Sequence, residues 1–173
     1  MNTRLKSLIF LAMICGSLLL LAISCKKQND EAETVTDSDG NVYKTLVIGT
    51  QIWLAENLKT TKFNDGSQIP FVSEETSWVA TLTTPGYCYY DNNTANKSVY
   101  GGLYNWYAVE TGKLCPKGWH VPSDAEWTTI TNLFGGESVA GNALKEKGTA
   151  HWTSPNDGAT NESGFTALPG GNR

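Results

Sequence analysis

The amino-acid sequence predicts an α+β fold with an N-terminal β-hairpin, two or three short helices and long loops. Two β-rich runs flank a tight reversal at Gly49-Thr50, which is typical of a hairpin. A capping-box motif followed by an apolar stripe predicts one well-defined helix. The chain of 173 residues is 40% hydrophobic, which suffices for one packed core, and its 17 glycines indicate that much of the remainder is loop.

The first residues have the pattern of an exported lipoprotein precursor. Arg4 and Lys6 precede an apolar run, residues 8–23, which is shorter than the ~20 apolar residues of a membrane-spanning helix. The run ends in Leu21-Ala22-Ile23-Ser24-Cys25, which resembles the lipobox of bacterial lipoproteins. We therefore predict a signal peptide over residues 1–24 and a lipid on the Cys25 thiol. An uncleaved membrane anchor is the alternative, and the polar residues directly after Cys25 disfavour it.

The segment that follows the predicted cleavage site is polar and partly acidic. Residues 25–38 offer almost nothing to bury, so we predict a flexible lipid-anchored tether, with the folded domain at residues 39–173. Such a protein belongs to the cell envelope. We expect it in the outer membrane, where it could be exposed on the cell surface. Loss of Arg4 and Lys6 lowers the formal net charge from −4 to −6, which disfavours nucleic acid as a partner.

The β-rich part of the sequence comes first in the predicted domain. Asp39-Gly40 predicts the opening turn, and residues 42–48 and 51–54 predict the two strands of the hairpin. Asn64-Asp65-Gly66 is a strong turn signal within a polar loop. Residues 86–90 predict a further short strand. The first half of the domain is therefore expected to consist of strands and loops.

The helical signals follow in the second half. Residues 103–109 predict a helix that packs on the core and is ended by Gly112. Ser123 and Glu126 form a capping box, in which each side chain serves the other residue's backbone N–H, and this begins the next helix. Three apolar residues of that helix share one face: Trp127, Ile130 and Phe134.

The last part of the chain predicts one more helix and a long loop. Gly135-Gly136 ends the capped helix, and residues 137–147 favour another short helix. From Gly148 onward the chain is rich in turn residues. Trp152 and Phe165 are the expected hydrophobic anchors of this loop, because large aromatic side chains bury the most surface.

Three stretches of the sequence carry a family resemblance. They lie at residues 39–58, which include Trp53-Leu54-Ala55-Glu56-Asn57-Leu58, at residues 100–106, and at residues 115–127, Cys-Pro-Lys-Gly-Trp-His-Val-Pro-Ser-Asp-Ala-Glu-Trp. Together they resemble one family of exported bacterial proteins, the Fibrobacter succinogenes major paralogous domain family. The resemblance implies a C-type-lectin-like fold, distantly similar to formylglycine-generating, sulfatase-modifying enzymes. It also implies that the matching residues are architectural, with Trp127 buried. Domains of this family continue through further strands, so we expect the final strands to be missing from this chain.

Few residues qualify as a chemical site. Cys88 and Cys115 could form a disulfide outside the cytoplasm or remain two buried thiols, and the sequence leaves both open. His120 and His151 are far apart and lack partners at zinc-ligand spacing. Oxygen-bearing side chains at residues 156–162 raise the question of calcium, but the motifs of calcium-dependent sugar binding are absent. We therefore predict no metal and no cofactor.

The sequence favours a binding protein over an enzyme. No nucleophile motif is present, and the capping box accounts for the carboxylates of Asp124 and Glu126. Trp78, in a region with no predicted element, is the candidate for stacking on a ligand. The expected function is a lipid-anchored binding or adhesion module for a glycan or protein. The alternative is a structural envelope lipoprotein or a decayed paralogue without ligand, and an enzyme of the formylglycine-generating kind is the least favoured.

Overall fold

A computed structural model of the protein describes residues 33–80 and 83–172. The first element of the folded part is a three-stranded antiparallel sheet. The strands are β1 (Thr34–Thr36), β2 (Val42–Ile48) and β3 (Gln51–Leu54), in the order β1-β2-β3. Ile48 lies opposite Gln51 across the turn, which confirms the predicted hairpin. The lipobox, Cys25 and most of the predicted tether lie outside the described residues.

The last residues of the predicted tether are part of the fold, in contrast to the prediction. Strand β1 lies within residues 25–38, and Asp37 is only 8% exposed. Its carboxylate accepts hydrogen bonds from the hydroxyl of the fully buried Tyr43 and from Asn41 Nδ2, both at 2.7 Å. It also accepts the backbone N–H groups of Asp39 and Asn41 at 2.9 Å. The polar side chain of Asp37 therefore forms its hydrogen bonds inside the fold, and the fold begins before Asp39.

A two-stranded sheet and three short helices form the middle of the chain. Strand β4 (Tyr87–Cys88) pairs with β5 (Leu103–Tyr104), which confirms a strand within residues 86–90. The helices are α1 (Glu75–Ala80), α2 (Lys97–Tyr100) and α3 (Trp106–Glu110). Two 3-10 turns, Tyr90–Asn92 and Thr94–Asn96, precede α2.

The prediction of a single helix over residues 103–109 is wrong at its beginning. Leu103 and Tyr104 belong to β5, because Leu103 pairs with Cys88 and Tyr104 pairs with Tyr87. Helix α3 begins only after Asn105, whose side chain accepts the Ala108 N–H at 3.0 Å. An N-cap of this type starts a helix at the next residue. The segment is therefore divided into two elements. Its first two residues form a strand because they pair with β4, and its remaining residues form a helix because Asn105 caps them.

The second half contains the two longest described helices, α4 (Asp124–Leu133) and α5 (Glu137–Leu144). The predicted capping box is confirmed: Ser123 N–H donates to Glu126 Oε2 at 2.8 Å, and Glu126 N–H donates to Ser123 Oγ at 3.4 Å. Gly135 and Gly136 follow α4 with φ of +90° and +94°, a conformation that ends helices. None of the described helices is long and apolar enough to cross a membrane.

Two hydrophobic clusters hold these elements together. One lies around the small sheet and α3 and contains Phe63, Ile69, Tyr87, Tyr89, Ala108 and Leu114. The other joins the hairpin to α4 and α5 through Ile48, Trp53, Ile130, Ala140 and Leu144. Small antiparallel sheets together with several short helices confirm the α+β class.

The C-terminal loop is attached to the second cluster by its aromatic residues. Phe165 packs against that cluster, and Trp152 Nε1 donates to the Ala167 carbonyl at 2.9 Å. The same carbonyl accepts the Glu146 N–H at 3.1 Å. Both aromatic residues therefore anchor the loop as predicted.

Candidate functional site

The described residues enclose an open cleft of about 1020 Å³. It is bordered by β3, by the segment 118–122 that leads into α4, and by the C-terminal loop around Phe165. Three tryptophans line it: Trp53 from β3, Trp119 from the segment before α4, and Trp127 from the first turn of α4. Concave, aromatic-lined clefts of this size are where proteins most often bind ligands.

The wall of the cleft is a contiguous aromatic triad formed by Trp53, Trp127 and Phe165. The Trp53 and Trp127 ring centroids lie 4.7 Å apart, and Phe165 is 5.8 Å from Trp53 and 5.9 Å from Trp127 in edge-on contacts. Trp53 is only 7% exposed, whereas Trp127 is 38% exposed. The expectation that Trp127 is buried is therefore wrong, because its ring covers Trp53 and leaves a large part of its own surface to solvent.

Two buried polar atoms at the cleft have no hydrogen-bond partner among the described residues. They are the indole Nε1 of Trp53, a donor, and the amide Oε1 of Gln51, an acceptor. Gln51 uses its other amide atom, since Nε2 donates to the Glu126 carbonyl at 3.4 Å. A buried polar atom without a partner costs about 1–3 kcal/mol. Both atoms are enclosed by protein, so a ligand in the cleft reaches them only if neighbouring side chains move.

The charged side chains that line the cleft are acidic, apart from His120. Glu33, Glu56 and Glu126 contribute carboxylates, and none of the described lining residues is lysine or arginine. A hydrogen bond from Lys59 Nζ at 2.9 Å outweighs burial and lowers the pKa of Glu56. The Lys59 ammonium offsets the charge of Glu56, so the net negative charge at the cleft is small.

Glu126 is the carboxylate with the most partners at this edge. Hydrogen bonds from the Ser123 backbone N–H and hydroxyl, followed by the contact with His120, lower its pKa to about 2. His120 Nε2 lies 2.8 Å from Glu126 Oε1. These contacts all serve the start of α4, so the pair is explained by architecture.

Trp78, the ligand-stacking residue proposed from the sequence, lies elsewhere. It belongs to α1, is half-buried, and is not among the residues that line the cleft. Sequence reasoning did not single out Trp53, Trp119 and Trp127 as binding residues. All three lie in the stretches that carry the family resemblance, which is the sequence feature that could have pointed to them. The resemblance implies an architectural role for those stretches, and the structure places these three residues at the cleft as well.

Cys88 and Cys115 are both buried thiols and are not joined in a disulfide. Cys88 is held in β4 opposite Leu103, whereas Cys115 follows α3 and its carbonyl accepts from Asn64 Nδ2 at 3.0 Å. Cys115 lines the cleft, and burial raises the pKa of its thiol to about 11.

Potential metal ligands are used in other contacts. Within residues 33–80 and 83–172, no three His, Cys, Asp or Glu side chains are grouped to hold an ion. His151 Nδ1 lies 2.9 Å from Glu146 Oε1. In the loop considered for calcium, the Asn156 amide donates to two backbone carbonyls, and both amide atoms of Asn161 bond to Thr166.

Comparison with known proteins identifies the domain. No curated protein and no solved structure matches the chain. The family model of the Fibrobacter succinogenes major domain matches residues 46–173, which include Trp53, Trp119, Trp127 and Phe165. Because this match covers well over half of the 173 residues, the chain belongs to the Fibrobacter succinogenes major domain family.

Proposed function

We propose that the chain is an exported cell-envelope protein, anchored in the outer membrane by a lipid on Cys25, that displays a binding or adhesion module. The lipobox at residues 21–25 and the polar residues after it support the anchor. The cleft supports the module, and its ligand is a glycan or a protein. The acidic mature chain argues against nucleic acid as a partner.

The observation that carries the binding proposal is the aromatic triad beside unpartnered buried polar atoms. Aromatic faces pack well against the C–H groups of sugars and against apolar side chains. The two unpartnered atoms are enclosed, so the exposed ring of Trp127 is the aromatic surface available to a ligand. An apolar wall with a few fixed polar groups is the usual composition of a binding site.

The fold and the chemistry proposed for the domain agree with this function. We propose the C-type-lectin-like fold that the family resemblance implies, acting as a binding scaffold. The Glu126 carboxylate at the cleft is occupied by Ser123 and His120, which favours a binding protein over an enzyme. A structural lipoprotein or a decayed paralogue without ligand is the alternative, and a formylglycine-generating type of enzyme is least favoured.

Binding is tested with the full chain in detergent on arrays of glycans and of immobilised proteins and peptides. We expect at least one array class to give saturable binding. The variant Trp127→Ala should weaken that binding about ten-fold or more, because removing an aromatic anchor from a binding site costs more than about 1 kcal/mol. Trp78→Ala, a tryptophan outside the cleft, is the matched control and should bind normally. Loss of binding in Trp78→Ala alone would place the site elsewhere.

The anchor is tested by expressing the chain in a bacterium that processes lipoproteins, with an alkyne-tagged fatty acid in the medium. Wild type should acquire the tag and lose residues 1–24, and Cys25→Ala should do neither. An uncut chain without tag in both cases would instead support an uncleaved membrane anchor.

A further inference from the structure

Among residues 33–80 and 83–172, strand β3 is an edge strand that faces the cleft. In the sheet order β1-β2-β3, these residues give it a neighbour on one side only. Residues 50–54 all line the cleft. Because successive side chains of a strand point to opposite faces, a cavity that contacts every residue in turn lies along the strand's edge. The cleft therefore borders the side of β3 that would receive another strand.

The register of the hairpin shows which backbone groups face that side. Ala55 N–H donates to the Lys44 carbonyl at 2.8 Å, so the hydrogen-bonded pairs are Lys44–Ala55, Leu46–Trp53 and Ile48–Gln51. In an antiparallel ladder the residues between such pairs direct their N–H and C=O groups away from the partner. These residues are Ile52 and Leu54. Their backbone groups point outward, and no described residue pairs with them.

The described part of this edge lacks the charged residues and the proline that often protect such strands. Natural edge strands are guarded by lysine, proline, bulges or a covering element. The β3 sequence, Gln51-Ile52-Trp53-Leu54, contains no charge and no proline. Ile52 is 54% exposed. The aromatic triad lies beside this edge, ready to bury side chains that an added strand would direct toward it.

From this geometry we propose that the cleft binds an extended segment of another polypeptide, which adds to β3 as a fourth strand of the sheet. This rests on the proposed binding function and names its ligand class. The added backbone pairs with Ile52 and Leu54, while alternate apolar side chains pack on the Trp53–Trp127–Phe165 wall. Strand addition of this kind draws its affinity from main-chain hydrogen bonds and its selectivity from pockets for alternate side chains.

The charge at the cleft specifies the ligand further. Of the three carboxylates that line it, Glu56 is paired with Lys59 and Glu126 with His120, so Glu33 is the one without an ion-pair partner among the described residues. A bound segment with a basic residue at its end complements the Glu33 carboxylate. Complementary charge chiefly increases the association rate and selects among partners, so this part of the affinity should fall as salt is added.

The test uses the wild-type full chain in detergent and a fluorescent synthetic peptide, Lys-Val-Thr-Val-Thr-Val-Lys. Two isomers of the peptide are methylated on two backbone nitrogens each, one at the first two valines and one at the two threonines. Both keep every side chain, but only one blocks the N–H groups that face β3. We expect saturable binding of the parent, about ten-fold weaker binding of one isomer, and near-parental binding of the other.

A pair of proline variants examines the protein side. Ile52→Pro removes an outward N–H from β3 and should weaken peptide binding about ten-fold. Thr34→Pro removes an outward N–H from β1, at the opposite edge of the sheet, and should bind the peptide as wild type does. Circular dichroism checks that both variants fold. If Ile52→Pro does not fold, the methylated peptides still decide the question on the unaltered protein.

The outcomes separate this inference from the proposed function. Equal binding of the two methylated isomers, or binding of a glycan with no binding of any peptide, would overturn strand addition and leave a binding module in place. Absence of binding to glycans, proteins and peptides alike would overturn both proposals. A peptide with glutamate in place of lysine should bind several-fold more weakly at low salt.

Discussion

Asp37 is a buried carboxylate that holds together the N-terminal part of the described fold. Four hydrogen bonds converge on it, from the side chains of Tyr43 and Asn41 and from the backbone of Asp39 and Asn41. Tyr43 in turn accepts the Lys59 N–H at 3.0 Å, which connects β2 to the following loop. A single acidic side chain thus joins β1, β2 and that loop.

We expect Asp37→Ala to destabilise the protein by about 2–4 kcal/mol, because it leaves the buried Tyr43 hydroxyl without its acceptor. Urea unfolding followed by tryptophan fluorescence measures the change. Asp157→Ala, which removes an exposed carboxylate in the C-terminal loop, is the control and should change stability by less than about 0.5 kcal/mol. Equal stability of the two variants would mean that residues before Asp39 are not part of the cooperative fold.

Gly101 occupies a backbone conformation, φ +70° and ψ −154°, that is essentially restricted to glycine. A Cβ at this position would also overlap the Leu58 carbonyl oxygen. Gly101→Ala should therefore cost about 3 kcal/mol or more. Gly141→Ala is the matched comparison, because Gly141 lies in α5 with open space around it, and it should stabilise the helix by up to about 1 kcal/mol. Thermal unfolding should move in opposite directions for the two variants.

The N-terminus of α4 is the element whose stability depends most clearly on pH. The Ser123 hydrogen bonds and His120 lower the pKa of Glu126 from 4.5 to about 2 in the folded state. A carboxyl group with a lowered folded pKa stabilises the protein above its unfolded pKa, and that contribution is lost as pH falls from about 4.5 toward 2. The capping box is thus predicted to weaken in acid.

The matching experiment compares acid unfolding of wild type and Glu126→Gln. The stability difference between them should shrink as pH falls from about 5 to 2. Glu162→Gln, a change at an exposed carboxylate in the C-terminal loop, should leave the wild-type profile nearly unchanged. A Glu126→Gln curve parallel to wild type across this range would contradict the capping role of the ionised carboxylate.

At the scale of the whole molecule, the buried thiols report on global opening. Cys88 and Cys115 are both buried, Cys115 is only 9% exposed, and burial raises the pKa of its thiol to about 11. Because the thiolate is the reactive form, we expect alkylation of both residues to be very slow at pH 8 and rapid in concentrated guanidinium chloride. Peptide mapping by mass spectrometry distinguishes them from Cys25. Two residues that stay unmodified even when unfolded would instead establish the disulfide.

Local patterns in the sequence were sufficient for the hairpin and for α4. The Gly49-Thr50 turn and the Ser123–Glu126 capping box each satisfy their backbone groups within a few residues, so neither depends on the remainder of the chain. The same local logic failed for Leu103 and Tyr104, which pair with a strand 15 or more residues earlier. It also failed for β1, whose short polar sequence becomes a strand only against β2.

The sequence by itself determined the α+β class and the family, because both depend on contiguous motifs, and the lipid on Cys25 stays a prediction from such a motif. Only the tertiary structure assembled the cleft that we propose as the binding site. Trp53, Trp127 and Phe165 are separated by up to 112 residues, and packing of β3, α4 and the C-terminal loop brings them within 6 Å of one another. The open edge of β3 likewise depends on which strands are its neighbours, a property of the sheet that no single segment contains.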